Sequence, residues 1–147
     1  MKSYFTIDEL VWSTTAAINN IDNTPPSFIK ENLEKLIEFL NPLREAWGSP
    51  IIITSGYRSQ KLNKVLKGSS TSAHVAGWAV DMVPQNKELD KFKQFVRDYL
   101  KDKEFDQYID EQSGNSSWVH LGLYHPDGKK QRKQFLLYRN GKYNKLD

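Results

Sequence analysis

An α+β fold, with helices packed on a small antiparallel sheet, is predicted by three features of the sequence. Helix periodicities dominate the first part of the chain, short β-branched or alternating runs dominate the later part, and no internal repeat breaks the order. The 147 residues suit one domain, expected to span 1–147. Hydrophobic residues at 38% and aromatics at 12% can build a core, while a mean hydropathy of -0.67 keeps the surface polar.

Along the chain, Thr6-Ile7-Asp8-Glu9 is a capping-box pattern that opens a helix, with Leu10, Val11 and Trp12 as its apolar side. Asn19 to Asn23 reads as a loop. Thr24 before Pro25-Pro26 predicts a second helix, capped by the threonine and carrying proline in its first turn. Ile29, Leu33, Leu36, Ile37, Leu40, Leu43 and Trp47 recur at helical steps; Pro42 is expected to kink or divide this helix, and Gly48 to end it. Pro50 to Thr54 is a β-branched strand, Ser55-Gly56 a turn, Ser59 to Leu66 a short helix, and Gly68 to Ser72 a polar loop. Trp78 to Val83 predicts a strand stopped by Pro84, and Glu88 to Leu100 a helix with Leu89, Phe92, Val96 and Leu100 on one face. Phe105 to Glu111 and Trp118 to Tyr124 form a hairpin turning at Ser113-Gly114-Asn115, and Gln134 to Tyr138 is the last strand, after a turn at Pro126-Asp127-Gly128.

Composition excludes several chemistries. Without cysteine the chain has no disulfide, thiol nucleophile, thiolate zinc finger or iron–sulfur site. A net charge of +3, from 21 basic and 18 acidic residues, is too mild to predict nucleic-acid binding. The run Lys129-Lys130-Gln131-Arg132-Lys133 reads as a solvated loop or strand edge, with short-range attraction to an anionic polymer as a second use. No apolar run reaches the ~20 residues of a membrane span. The N-terminus has one lysine with no apolar stretch behind it, so no signal peptide is expected and synthesis is expected to be cytoplasmic.

The histidines are His74, His120 and His125. His74 precedes Asp81 across a loop that feeds a strand, and His120 sits mid-strand between aromatic flanks. Two imidazoles and a carboxylate match a mononuclear zinc site with an open fourth position for water. By spacing alone the alternative stands beside it: a lone histidine is commonly a satisfied polar or surface residue. His125, before Pro126 in a turn, reads as surface.

The motifs Ser55-Gly56-Tyr57-Arg58-Ser59, Leu62-Asn63, Ser72-x-His74-x-x-Gly77-x-Ala79-x-Asp81 and Trp118-x-His120 resemble, in order and spacing, the zinc D-Ala-D-Ala carboxypeptidase and peptidoglycan-peptidase family, in its phage-lysin-like branch. Phe5 to Leu10, Ile21 to Pro25 and Leu43-Arg44-Glu45 extend the resemblance upstream. It implies a hedgehog/DD-peptidase-like α+β domain with one zinc ion on His74, Asp81 and His120. It places Arg58 at the arginine that contacts substrate and Ser72 at a serine that hydrogen-bonds substrate or caps a turn. Many relatives carry an acid three residues before the last histidine, which here is Ser117. In the closer branch a glutamate follows a Phe-Asp-Gln stretch, and Phe105-Asp106-Gln107 leads to Glu111 as the expected general base, with Asp110 in reserve. Strand alternation puts Gln107, Ile109 and Glu111 on one face, where Gln107 is expected to contact substrate, and Tyr108 and Asp110 on the other. The hairpin register decides which face meets His120. Trp78 and Trp118 are expected to pack beside the ligands, with substrate stacking as the other use. The implied function is peptide cleavage in bacterial peptidoglycan by a monomer acting at the cell wall, released there in a phage or prophage setting. A zinc-containing wall-binding module without turnover is the alternative.

Overall fold

A computed structural model describes residues 2–146. Its elements run α1 (Ile7–Val11), α2 (Thr14–Ile18), α3 (Ser27–Trp47), β1 (Ile51–Ser55), α4 (Gln60–Val65), β2 (Ala79–Pro84), α5 (Leu89–Leu100), β3 (Gln107–Ser113), β4 (Ser116–Gly122), β5 (Gln134–Arg139) and β6 (Lys142–Lys145). The strands form one sheet in the order β1-β2-β4-β3-β5-β6. The α+β class is as the sequence predicts.

Thr6 caps α1 by accepting from the Glu9 amide at 3.1 Å. The helix then stops at Val11, because Ser13 caps a new one, accepting from the Ala16 amide at 3.1 Å. Trp12, between the two, is 67% exposed and does not join the apolar side expected for it. The second predicted helix, α3, starts later than Thr24. Proline disfavours helical backbone in the residue before it, so Pro25 cannot be helical, and Pro26 becomes the N-cap through its carbonyl, which accepts from Ile29 and Lys30. Pro42 does not divide α3. The carbonyl it leaves without a donor belongs to Glu38 on the exposed face, where water can serve it.

The helical leucines and their neighbours form the core with one face of the sheet. Leu33, Leu36, Leu40 and Leu43 of α3 and Phe92, Val96 and Leu100 of α5 are fully or almost fully buried with Val80, Met82, Tyr108, Val119 and Leu121. Trp47 meets Phe92 edge-on at 5.1 Å, joining the two helices. Alternation sends Asp81, Ile109 and His120 to the other face, which no long helix covers.

The C-terminal part departs from the expected all-antiparallel sheet. β5 pairs parallel with β3, and β6, which was not predicted, pairs antiparallel with β5. β2 already occupies the other edge of β4, so the chain leaves β4 beside the start of β3, crosses it and runs up its far side, which makes the β3–β5 pairing parallel. Asp106 holds that passage. Its buried carboxylate accepts from the Arg132 amide at 3.0 Å, from Arg132 Nε at 2.8 Å and from Nη2 at 2.7 Å, and its carbonyl accepts from the Gln134 amide. The basic run is therefore only partly the solvated edge expected of it, since Arg132 is a structural clamp. Asp106→Ala is expected to cost about 2 kcal/mol, the worth of hydrogen bonds to a charged group discounted because Arg132 can turn to water. The midpoint of urea unfolding measures this.

No helix among the described residues is long and apolar enough to cross a membrane.

Candidate metal centre

Strand register builds the floor of the site. Across β2, β4 and β3, Asp81, His120 and Ile109 are direct partners, and so lie in one row on the uncovered face. A bulge between Ile53 and Ser55 shifts β1 by one residue and brings Ser55, instead of Thr54, beside Asp81. Ser55 Oγ accepts from Arg58 Nε at 3.0 Å, and Arg58 Nη2 lies 3.4 Å from Asp81 Oδ2.

His74 comes from the loop before β2. Gly77 turns that loop at φ 76°, and a Cβ there would stand 2.9 Å from Ile29 Cγ2, so α3 packs directly on the turn. Asn32 of α3 donates to the Ala76 carbonyl at 2.9 Å. Ser72 Oγ accepts from the His74 amide at 3.1 Å, so of the two uses expected of Ser72 the turn cap is the one visible. His74 Nδ1 sits 2.8 Å from the Gly56 carbonyl. A carbonyl only accepts, so Nδ1 carries the proton and Nε2 keeps its lone pair. Gly56 is itself wedged: a Cβ would stand 2.1 Å from the Leu10 carbonyl, which accepts from the Tyr57 amide at 2.7 Å.

His74, Asp81 and His120 are the described residues whose donor atoms gather as for a metal, all within 4.8 Å of one another and all buried. His74 Nε2 lies 3.4 Å and His120 Nδ1 3.1 Å from Asp81 Oδ1. Tetrahedral bonds of ~2.1 Å separate donors by about 3.4 Å, so the spacing fits one zinc ion. The chemistry fits as well. A neutral His74 with its Nε2 lone pair toward Asp81 Oδ1 suits a cation held between the two. Burial pushes the His74 imidazole toward its neutral, ligating form, against the pull of Asp81. Burial alone would raise Asp81, but the two imidazoles beside it, whenever they are protonated, outweigh burial and hold the carboxyl well below the usual range. The geometry can therefore hold a divalent cation on three protein donors.

Glu111 lies on the same face, two residues beyond Ile109, with Oε1 3.9 Å from His120 Nδ1. The β3–β4 register runs without a bulge and pairs Glu111 with Trp118. Burial pushes the Glu111 carboxyl up to about 7, with His120 lowering it and Asp81 raising it. Asp110 faces the opposite side, between Lys93 Nζ at 2.6 Å and Arg139 Nη2 at 3.1 Å. Ser117 also faces that side, where it accepts from Lys93 and donates to the Glu111 carbonyl.

His74, Asp81, His120 and Glu111 line an open cleft of about 490 Å³. One wall is the loop 66–74 with Arg58; the other is β5–β6, at the opposite edge of the sheet. Gln107 is on the floor, its amide donating to Gln134 Oε1 at 2.9 Å. Trp118 lines the cleft, whereas Trp78 packs on Tyr124 in the core. His125 is not plain surface: it stands at the rim with Arg132. Sequence reasoning missed Tyr138 and Tyr143, which line the second wall, because the strand pairing that brings them there joins distant segments.

The family model described as Peptidase M15 matches residues 3–122, a stretch that contains every one of the three candidate ligands and Glu111. None of the curated proteins compared matches the chain.

Proposed function

The chain belongs to the peptidase M15 family, and from that premise we propose that it is a zinc-dependent peptidase cleaving the peptide part of bacterial peptidoglycan at the cell wall. The observation that carries this reading is the convergence of three buried donors, on one face of the sheet, beside a carboxyl raised to about 7.

Zinc on His74, Asp81 and His120 supplies Lewis-acid polarisation of a carbonyl and a water pKa lowered to about 7. Glu111, whose carboxyl lies beside His120 on the same face of the sheet, takes the proton of the attacking water and returns it to the leaving amine. Arg58 offers its remaining guanidinium donors to a substrate carbonyl or carboxylate, while its bonds to Ser55 and Asp81 fix its fork. Ser72 and Gln107, which both line the cleft, contact the peptide. Asp110 has no part in proton transfer, because two cations occupy it on the other face.

Purified protein incubated with peptidoglycan is expected to release new amino groups. A chelator abolishes the release and added zinc restores it. The same chelator lowers the melting temperature, since an ion bound only by the folded state stabilises it. Mass spectrometry of the products from a defined muropeptide names the bond. One equivalent of bound zinc with no new amine from several wall types would overturn the enzyme reading in favour of a wall-binding module.

A further inference from the structure

The cleft does not end at the metal ligands. Trp118 of β4, Glu111 of β3, Tyr138 of β5 and Tyr143 of β6 are successive register partners, so they form one row across four strands, on the face that carries Asp81 and His120. All four line the cleft. The tyrosine rings stand 4.7 Å apart at 54°, and Tyr143 is 59% exposed. Burial raises the Tyr143 phenol, and Glu111, Tyr138 and Asp81 raise it further, so its hydroxyl end leans inward while the rest of the ring meets solvent. Both strands of this wall lie past residue 122, beyond the stretch matched to the family.

The wall has a direction relative to the reaction. The scissile carbonyl lies over the donors of β2 and β4, and Glu111, one strand further, hands a proton to the leaving amine. The wall of β5 and β6 is the next surface that the chain carried by that nitrogen can follow. From β3 to β6 is two strand spacings, roughly 10 Å, the span of about three extended residues. A substrate that ends one residue past the cleaved bond stops short of Tyr143. Charge points the same way. Of the cations that line the cleft, Arg58 stands past Asp81 at the β1 edge, and Lys67 and Arg132 also lie outside β5 and β6. Arg139 is turned to the other face and bound to Asp110, and Lys145 shares the cleft face but stays outside the lining. A free terminal carboxylate one residue past the cleaved bond would stand beside the Glu111 carboxyl with no cation in the wall to pair it. An uncharged chain that continues along the rings avoids that cost and covers their faces.

We propose that Tyr138 and Tyr143 form a substrate-binding wall for the leaving-amine side of the peptide, taking uncharged residues two and three positions past the cleaved bond, and that the enzyme is accordingly an endopeptidase and not a carboxypeptidase. This rests on the peptidase reading of the metal centre. Mass spectrometry of a peptidoglycan digest is expected to show new amines on chains of two or more residues; a free single amino acid as the released product would overturn the proposal. Two peptides are then built around the bond so named, one continuing three residues past it and one ending one residue past it. The longer is expected to have the higher kcat/KM. Tyr143→Ala is expected to lower the ratio of the two about tenfold, Tyr138→Ala to lower it as well, and Tyr143→Phe, which keeps the ring, to preserve it. Bound zinc is expected to stay at one equivalent in each variant, which separates a lost contact from a collapsed site. A wild-type ratio near one, or a ratio that Tyr143→Ala leaves unmoved, would overturn the wall. If the wild type cuts no wall preparation, the peptidase reading fails, and amide NMR of the metal-loaded protein titrated with a peptidoglycan stem pentapeptide decides the wall alone: shifts at Tyr138 and Tyr143 uphold it, and their absence overturns it.

Discussion

Glu111→Gln is expected to leave one zinc ion per chain in place and to lower kcat by ~10²–10⁴-fold, the usual share of a general acid–base group. Glutamine keeps the shape and hydrogen-bonding reach of the side chain but cannot carry a proton between water and amine. Because Glu111 contacts the site only at 3.9 Å from His120, metal content should be unaffected. Atomic absorption and steady-state kinetics on the same preparation separate the two effects. Retained turnover would remove Glu111 from the proposed role. The substitution also has a readout that needs no substrate. In the metal-free protein the Glu111 pKa is raised from 4.5 to about 7 by burial, so the folded state binds the proton more tightly than the unfolded chain. Its contribution to stability is full below about 4.5 and is lost as pH rises through about 7. Wild type minus variant stability, measured by urea unfolding across that range, isolates this slope from the opposing one of His74.

His120→Ala is the more drastic change. It removes the donor that stands centrally in the row between Asp81 and Ile109, and leaves a two-donor set that cannot hold zinc in competition with water and buffer. Metal is expected to fall from one equivalent toward none, and activity to the chelator-treated background. The cavity left by the ring adjoins an open cleft, so water can fill it and the fold should survive. Circular dichroism of the variant against metal-stripped wild type checks that the loss is one of coordination and not of folding. Full activity in this variant would remove the three-donor centre from the mechanism.

Local signals explain how far the sequence could be read. The Thr6 cap, the leucine spacing of α3 and the apolar stripe of α5 act within a few residues, and each is found where it was expected. The alternation that placed Gln107, Ile109 and Glu111 together is equally local, and the regular hairpin register then turned that face toward His120. What the sequence hid depends on distant pairing. Nothing near Gln134 announces that β5 will lie parallel to β3, and the weakly apolar Lys142–Lys145 segment becomes a strand only because β5 offers it an edge. The Asp106–Arg132 clamp, and the tyrosines beside Glu111, follow from that one pairing. At the other end, Pro25-Pro26 carried two contrary signals, tolerance in a first turn and exclusion before proline, and the second prevailed.

The packing of α1 against the Gly56 turn ties the imidazole of His74 to a part of the chain outside the cleft lining. The Leu10 carbonyl presses on Gly56, and the Gly56 carbonyl in turn fixes the ring. Fraying of that first short helix would therefore let His74 swing, and the rate at which an ion escapes the site becomes a gauge of how firmly the N-terminal segment is seated. For anyone engineering the chain, position 56 is closed to every side chain, and trimming the amino end would trade size for a leakier centre.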